Sequence, residues 1–141
     1  MLRRMHTQTV RIRWRDVDAY GHVNNAVYLT YLEECRDRWV HEVLGGGFFE
    51  FVIVRIAIDY RRELGLGDEE VTVTCRGTGY GTSSIRTAER IVAKAGWVAA
   101  ESESVIVAHD PEARAARPLT VQERQRLDAS IAADAGEAVS P

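Results

Sequence analysis

DVDAYGHVNNAVYLTYLEECRDRWVHEVLGGG, residues 16–47, holds the reading on which the fold turns. Its second half is periodic. Val27, Tyr28, Tyr31, Leu32, Cys35, Trp39, Val43 and Leu44 recur at spacings of three and four, which lays one apolar stripe along a helix. Glu33, Glu34, Arg36, Asp37 and Arg38 fall largely off that stripe. Asn24 or Asn25 offers an N-cap, and Gly45-Gly46-Gly47 a stop. The expectation is a helix of about five turns over residues 25–44, the longest in the chain.

On both sides of it the period is two. Upstream, Val10, Ile12 and Trp14 alternate with Arg11, Arg13 and Arg15, so residues 7–15 read as a half-buried strand with an arginine-covered outer face, not as a transit or signal segment. Downstream, Val52, Val54, Ile56, Ile58 and Tyr60 alternate with Ile53, Arg55, Ala57, Asp59 and Arg61. GLGD (65–68) turns the chain into EEVTVTCRGTG (69–79), and KAGW (94–97) joins IRTAERIVA to VAAESESVIVAHD. Pro111 closes this meander, and LTVQERQRL (119–127) is expected to form a short terminal helix. The small and polar residues 129–141 are expected to be a disordered tail behind a domain of residues 1–128.

One strand, a long helix and about four antiparallel strands give an α+β domain. A single sheet can bury both the helix and its own face only by curling round the helix, which is the hot-dog arrangement. So small a domain leaves a sheet edge open, and a second subunit would cover it.

The bulk composition narrows the function. With 45% hydrophobic and 28% charged residues over 141 positions, the chain suits one soluble globular domain. A formal net charge of -3 argues against a nucleic-acid partner, which would demand a basic surface. No apolar run reaches the roughly 18 residues of a membrane span. Cys35 and Cys75 stand far apart without a CxxC, so they read as buried thiols in a reducing, cytoplasmic setting. Neither they nor the histidines have the spacing of a zinc site, and no metal or cofactor is expected.

The polar residues ahead of the helix carry the chemistry. A helix N-terminus presents unpaired N–H groups and the positive end of the helix dipole, a place where a developing oxyanion is stabilised. Asp18 lies seven residues before Asn25, within reach of that end. Taken alone, Asp18 also suits a turn aspartate that caps a nearby N–H. Asp16 is expected to point away from it and to be solvated or paired with an arginine. Gly21 supplies a glycine-only backbone geometry or room for a substrate. Tyr28, Tyr31 and Trp39 belong to the stripe, so packing is their default, and Tyr28 lies nearest the helix start. Glu33 and Arg36 are spaced for an ion pair along the helix.

DVDAYGHVNNAVYLTYLEECR resembles the signature of hot-dog acyl-CoA thioesterases of the 4-hydroxybenzoyl-CoA thioesterase type. The likeness rests on D-x-D, G-H-V-N-N and Y-x-x-Y-x-E-x-x-R at fixed offsets. It continues less specifically through VRIAIDYRRELGLGDEEVTV and GTSS, over roughly residues 8 to 119. It implies hydrolysis of an acyl-CoA thioester without a cofactor, with Asp18 as the catalytic carboxylate and the N–H of Asn25 polarising the carbonyl. His22 would orient Asp18, bond Asn25 or touch the substrate, and Tyr28 would stand at the pocket wall. Gly21 would give room to the acyl group, and candidate contacts for coenzyme A are Arg61, Arg62 and Thr82, Ser83 and Ser84 with Arg86 and Arg90, although Gly81 and Thr82 stand where the hydroxybenzoyl enzyme has basic residues. Tyr20, Val27, Tyr31, Phe51 and Ile53 could line the acyl pocket. The resemblance also implies a homodimer or a homotetramer built as a dimer of dimers. Two alternatives stay open: a thioesterase acting on an acyl-carrier protein, and a non-catalytic module that binds acyl-CoA.

Overall fold

Helix α1 spans Asn25–Leu44 in the computed structural model, which describes residues 5–46 and 50–138, with side chains to residue 135. Asn24 is the N-cap: its side chain accepts the N–H of Ala26 at 2.9 Å, and its carbonyl that of Val27 at 2.8 Å. Gly45 ends the helix in the left-handed region, φ 70°, with its N–H bonded to the carbonyl of His41. Gly47, the last of the three expected stop residues, lies outside the described residues.

Around α1 curls an antiparallel sheet of six strands: β1 His6–Arg11, β2 Phe51–Tyr60, β3 Glu70–Tyr80, β4 Ser84–Ala93, β5 Val98–Asp110 and the two-residue β6 Ala115–Ala116. Their order is β1-β3-β4-β5-β2, with β6 on the end of β5. The inner face carries Val71, Val73 and Cys75 of β3, Ile85 and Ile91 of β4, and Ala100 and Ile106 of β5. These meet the stripe of Tyr28, Tyr31, Leu32, Cys35, Trp39 and Val43. This is the hot-dog fold, and the alternation of the strands and the stripe of the helix account for it. Among the described residues no helix is long and apolar enough to cross a membrane.

Four expectations need correction. Strand β1 stops at Arg11, because the Asp16 carboxylate accepts the N–H of Arg13 and closes a one-turn 3-10 helix over Trp14–Asp16. Trp14, read as a core residue, is therefore 82% exposed. In β2 a bulge between Ile53 and Arg55 resets the alternation. Phe51 and Ile53 lie opposite Ala108 and Ile106, whereas Ile56 and Ile58 lie opposite Ser104 and Ser102, so Val52 and Ile56 face opposite ways.

The third correction concerns the C-terminus. Helix α2 runs Val121–Ala138, far beyond the short helix expected and through most of the supposed tail. Thr120 and Glu123 form a reciprocal cap at its start: the Thr120 hydroxyl accepts the N–H of Glu123, and the Glu123 carboxylate that of Thr120. Leu127, Ser130 and Asp134, spaced three and four apart, are buried. Gly77 of β3 makes room, since a Cβ there would lie 2.8 Å from the Trp39 ring and 3.6 Å from Ile131. Residues 139–141 lie outside the described residues.

The fourth is Arg36. It does not pair with Glu33, which is exposed, but reaches inward to Glu89 of β4, Nε to Oε1 at 2.9 Å. Thr87, Ser102 and Ser104 all donate to the same carboxylate.

Helix α1 packs mainly on β1, β3 and β4. Strand β2 projects beyond it as an open edge, with Val52, Ile53, Val54 and Tyr60 each more than a third exposed.

Candidate active site

Residues 16–24 form a tight hairpin that leads into α1. The N–H of Asn24 bonds the carbonyl of Asp16 at 2.9 Å, Val17 bridges Val23, and the N–H of Asp18 bonds the carbonyl of His22 at 2.8 Å. Val23 is buried and fixes one face of the hairpin in the core. At the tip Gly21 has φ +83°, and an added Cβ would meet nothing within 4 Å. The glycine is needed for its backbone conformation, and not for clearance from the protein's own atoms.

The two aspartates have separate fates. Asp16 is not solvated; it is paired with an arginine, Arg13, as one arm of the expectation had it, but backbone and phenol donors hold it more closely. It is buried, and its Oδ2 accepts the Tyr31 hydroxyl at 2.7 Å and the N–H of Arg13 at 2.9 Å, with the Arg13 guanidinium farther off at 3.9 Å. Burial, then this acceptor, pushes the Tyr31 phenol well above its ordinary pKa. Asp18 is half-buried. Its Oδ1 accepts the N–H of Tyr20 at 2.9 Å and that of His22 at 3.4 Å, while its Oδ2 has no hydrogen-bond partner among the described residues. Asp18 is thus a turn aspartate held by one oxygen, with the other unengaged among the described residues.

The hairpin is tied to the segment after β2. The N–H of Val23 bonds the carbonyl of Leu64, His22 bridges Gly65, and the His22 imidazole lies 3.1 Å from the Glu63 carboxylate. His22 contacts Asp18 through its backbone, not through its ring. Tyr28 is buried, and its hydroxyl accepts the N–H of Leu64 at 3.1 Å; burial raises its phenol pKa. The Tyr60 ring stands edge-on to Tyr28 at 5.0 Å, and its hydroxyl donates to the carbonyl of Asn25 at 3.0 Å. Tyr60, Glu63 and Leu64 fix the start of α1, yet in the sequence only Tyr60 stands out, by its apolar period. The N–H of Asn25, first in the helix, has no intrahelical acceptor.

The remaining candidates do not all gather there. Arg61 bonds Glu101 at 3.4 Å beside Asp59, whereas Arg62 lies over the Trp97 ring, 4.2 Å from its centroid. The turn at Thr82, Ser83 and Ser84 sits at the far end of the sheet: Thr82 accepts the N–H of Leu119 and Ser83 that of Ala108. Tyr31 is wholly buried and committed to Asp16, and Tyr20 is 86% exposed. A concavity of about 700 Å³ lies on the sheet face turned away from α1, lined by Arg76, Ala88 and Glu103 among others, and of the candidates Arg61 and Arg90 border it.

Neither thiol is suited to act as a nucleophile. Burial pushes Cys35 up to about 12 and Cys75 well above its ordinary value, which leaves negligible thiolate. Among the described residues no three His, Cys, Asp or Glu side chains converge as a metal site would require.

Known proteins resemble this chain in sequence and fold. A model of the thioesterase-like superfamily matches residues 12–131. The long-chain acyl-CoA thioesterase FadM of Escherichia coli (strain K12) is 31% identical over 134 residues, spanning 90% of this chain and 99% of that one. A thioesterase from Thermus thermophilus, solved with coenzyme A and Zn, superposes with a TM-score of 0.77 at 35% identity, covering 90% of this chain and 95% of that one. A predicted thioesterase from Bacillus stearothermophilus gives a TM-score of 0.82 at 25% identity over 90% and 96% of the two chains. With its sheet curled on α1 and its D-x-D hairpin at the helix start, the chain belongs to the thioesterase-like superfamily.

Proposed function

We propose that the protein hydrolyses an acyl-CoA thioester to a free acid and coenzyme A, with Asp18 as the reacting carboxylate. The observation that carries this reading is the asymmetry of Asp18: Oδ1 is held by the loop N–H groups, and Oδ2 is unengaged on a hairpin that opens into the first turn of α1. The thioester carbonyl would sit against the N–H of Asn25, where a backbone donor to the oxyanion is worth roughly 3 kcal/mol of barrier. Two routes use the same oxygen. As a nucleophile, Oδ2 adds to the carbonyl carbon, the C–S bond breaks, the thiolate leaves and takes a proton, and water then splits the mixed anhydride. As a general base, Oδ2 takes a proton from water as that water adds to the same carbon; the adduct then collapses, the C–S bond breaks, and the proton passes to the leaving thiolate. His22 holds the hairpin through Glu63, and Gly21 allows its turn. Tyr28, with Tyr60 in front of it, walls the start of the acyl pocket.

The site is completed by a second copy. Strand β2 is an open edge of unpaired backbone groups and exposed Val52, Ile53 and Val54, which antiparallel pairing with its own copy would cover. Such a pair sets the Tyr60 end of one β2 beside the Phe51 end of the other. Phe51 pairs with Ala108, whose N–H bonds Ser83, so Thr82, Ser83 and Ser84 of the second copy would approach the first copy's Arg61 and Arg62. The two groups of coenzyme A contacts, separated within one chain, then belong to one site. A reducing cytoplasm suits the free, buried thiols.

Thiol release from a graded panel of acyl-CoAs, run beside the same acyl groups on acyl-carrier protein, tests the reading. Turnover of at least one coenzyme A thioester in preference to its carrier-protein counterpart is the expected result. Binding of acyl-CoA without release of thiol would make the chain a non-catalytic module.

A further inference from the structure

Arg61 and Arg62 stand side by side in the sequence but are used differently. Arg61 turns toward the outer face of the sheet, where Glu101 and Asp59 neutralise it, and Arg90 is bound to the same Glu101 at 2.9 Å. Arg62 meets no carboxylate among the described residues. Its guanidinium lies over the ring of Trp97, which belongs to the β4–β5 turn closed by Gly96 at φ +102° and by the bond from Ala93 N–H to the Trp97 carbonyl. An aromatic face attracts the cation without occupying its N–H groups. The in-plane donors stay available for a bidentate acceptor, the geometry that favours arginine over lysine at phosphates.

The position of this pair gives it a ligand. The residues flanking Arg62 are those that tether the Asp18 hairpin: Tyr60 bonds the carbonyl of Asn25, Glu63 pairs with His22, and Leu64 accepts the N–H of Val23. Arg62 itself is fixed at the backbone, its N–H bonded to the carbonyl of Ala99 at 3.1 Å. An unneutralised, preoriented guanidinium therefore stands on the segment that tethers the Asp18 hairpin, beside the candidate site. We propose that Arg62, held in place by Trp97, binds the diphosphate of the coenzyme A carrier. This inference rests on the acyl-CoA reading and assigns the nucleotide end of the substrate to the Arg62–Trp97 pair rather than to Arg61.

The test compares one acyl group carried by coenzyme A and by pantetheine, which lacks the diphosphate. Calorimetry of free coenzyme A adds a measure that needs no turnover. In Arg62→Gln the ratio of kcat/KM for the two thioesters falls about tenfold in disfavour of coenzyme A, and coenzyme A binds about tenfold more weakly, the loss typical of one charge-assisted hydrogen bond. Trp97→Leu, which keeps the arginine and removes its platform, shifts the ratio the same way by about threefold, in line with a partly exposed cation–π contact. Arg76→Gln, an equal change of charge on the outer face, leaves the ratio where it was. A merely structural Arg62 would lower both thioesters alike, and that result overturns the proposal, as does unaltered affinity for coenzyme A. Wild type that binds coenzyme A through Arg62 but turns over neither thioester would sink the hydrolase reading alone.

Discussion

The hydroxyl of Tyr31 donates a 2.7 Å hydrogen bond to Oδ2 of Asp16, joining the second turn of α1 to the base of the hairpin that carries Asp18. The same aspartate accepts the N–H of Arg13 through its side chain and that of Asn24 through its carbonyl, so it fixes where the hairpin leaves β1 and where it enters the helix. Tyr31→Phe keeps the ring in the core and leaves a buried carboxylate short of one donor. The expected cost is about 1–3 kcal/mol of stability in urea unfolding. The kcat should fall several-fold because the hairpin loses its fixed base. An unchanged unfolding midpoint would mean that Asp16 is not held in this way.

Arg36 and Glu89 form an ion pair with side chains 5% and 0% exposed, closed by three hydroxyls. Removing one partner strands the other charge in the core. Arg36→Met is expected to cost about 3–5 kcal/mol, and the double variant Arg36→Met/Glu89→Leu to cost less than that single change. Denaturant titration of the three proteins checks the order. A double variant less stable than Arg36→Met would show that the pair contributes more than the mutual neutralisation of two buried charges.

These two contacts also mark how far the sequence could be read. The α1 stripe and the strand alternation were legible because burial imposes a period on apolar residues. The D-x-D hairpin stood out only by its likeness to the thioesterase signature, since turn and cap residues alone would place similar polar groups ahead of a helix. Glu89 shows a signal that went unused: Ile85, Thr87, Glu89 and Ile91 alternate onto one face of β4, so a carboxylate there must point inward and find a cation. The bulge in β2 was hidden, since Phe51 to Ile58 is apolar enough to satisfy either register until β5 fixes one. Helix α2 was underrated because its inward residues, Ser130 and Asp134 among them, are small or polar and become core only through the packing of α2 on α1 and β3. The tethers from Tyr60, Glu63 and Leu64 to the hairpin depend on a meeting of distant segments that no local pattern announces.

The start of α2 gives a pH dependence. Arg117 bonds the Glu123 carboxylate at 2.8 and 3.1 Å and, with the N–H of Thr120, lowers its pKa from the ordinary value. In the unfolded chain this carboxyl titrates near about 4.3. A lowered folded pKa means that the stabilisation is complete above that unfolded value and is lost as pH falls through the folded one. The stability gap between wild type and Glu123→Gln is therefore expected to be full at pH 7 and to shrink below about pH 4. Urea unfolding at pH 7, 5, 4 and 3 measures it. A gap of the same size at pH 3 would rule out the ion pair as its source.

The open edge predicts an assembly. Val54 lies at the bulge of β2 and is 58% exposed, so a charge there costs a single chain little but obstructs pairing with another edge. In sedimentation, Val54→Lys should halve the mass of the wild-type species or reduce it further, and thiol release should fall with it. A variant of unchanged mass would move the interface elsewhere.

The central claim is that Asp18 does the chemistry, and Asp18→Asn tests it most directly. Asparagine keeps an oxygen to accept the N–H of Tyr20, so the hairpin can hold its shape while the free oxygen and its charge are removed. The measurement is kcat for thiol release from the best acyl-CoA, with circular dichroism and thermal unfolding confirming the fold. A loss of at least about a hundredfold, within the range for a lost catalytic base, is the predicted result. A folded Asp18→Asn protein that retains wild-type kcat would contradict the account.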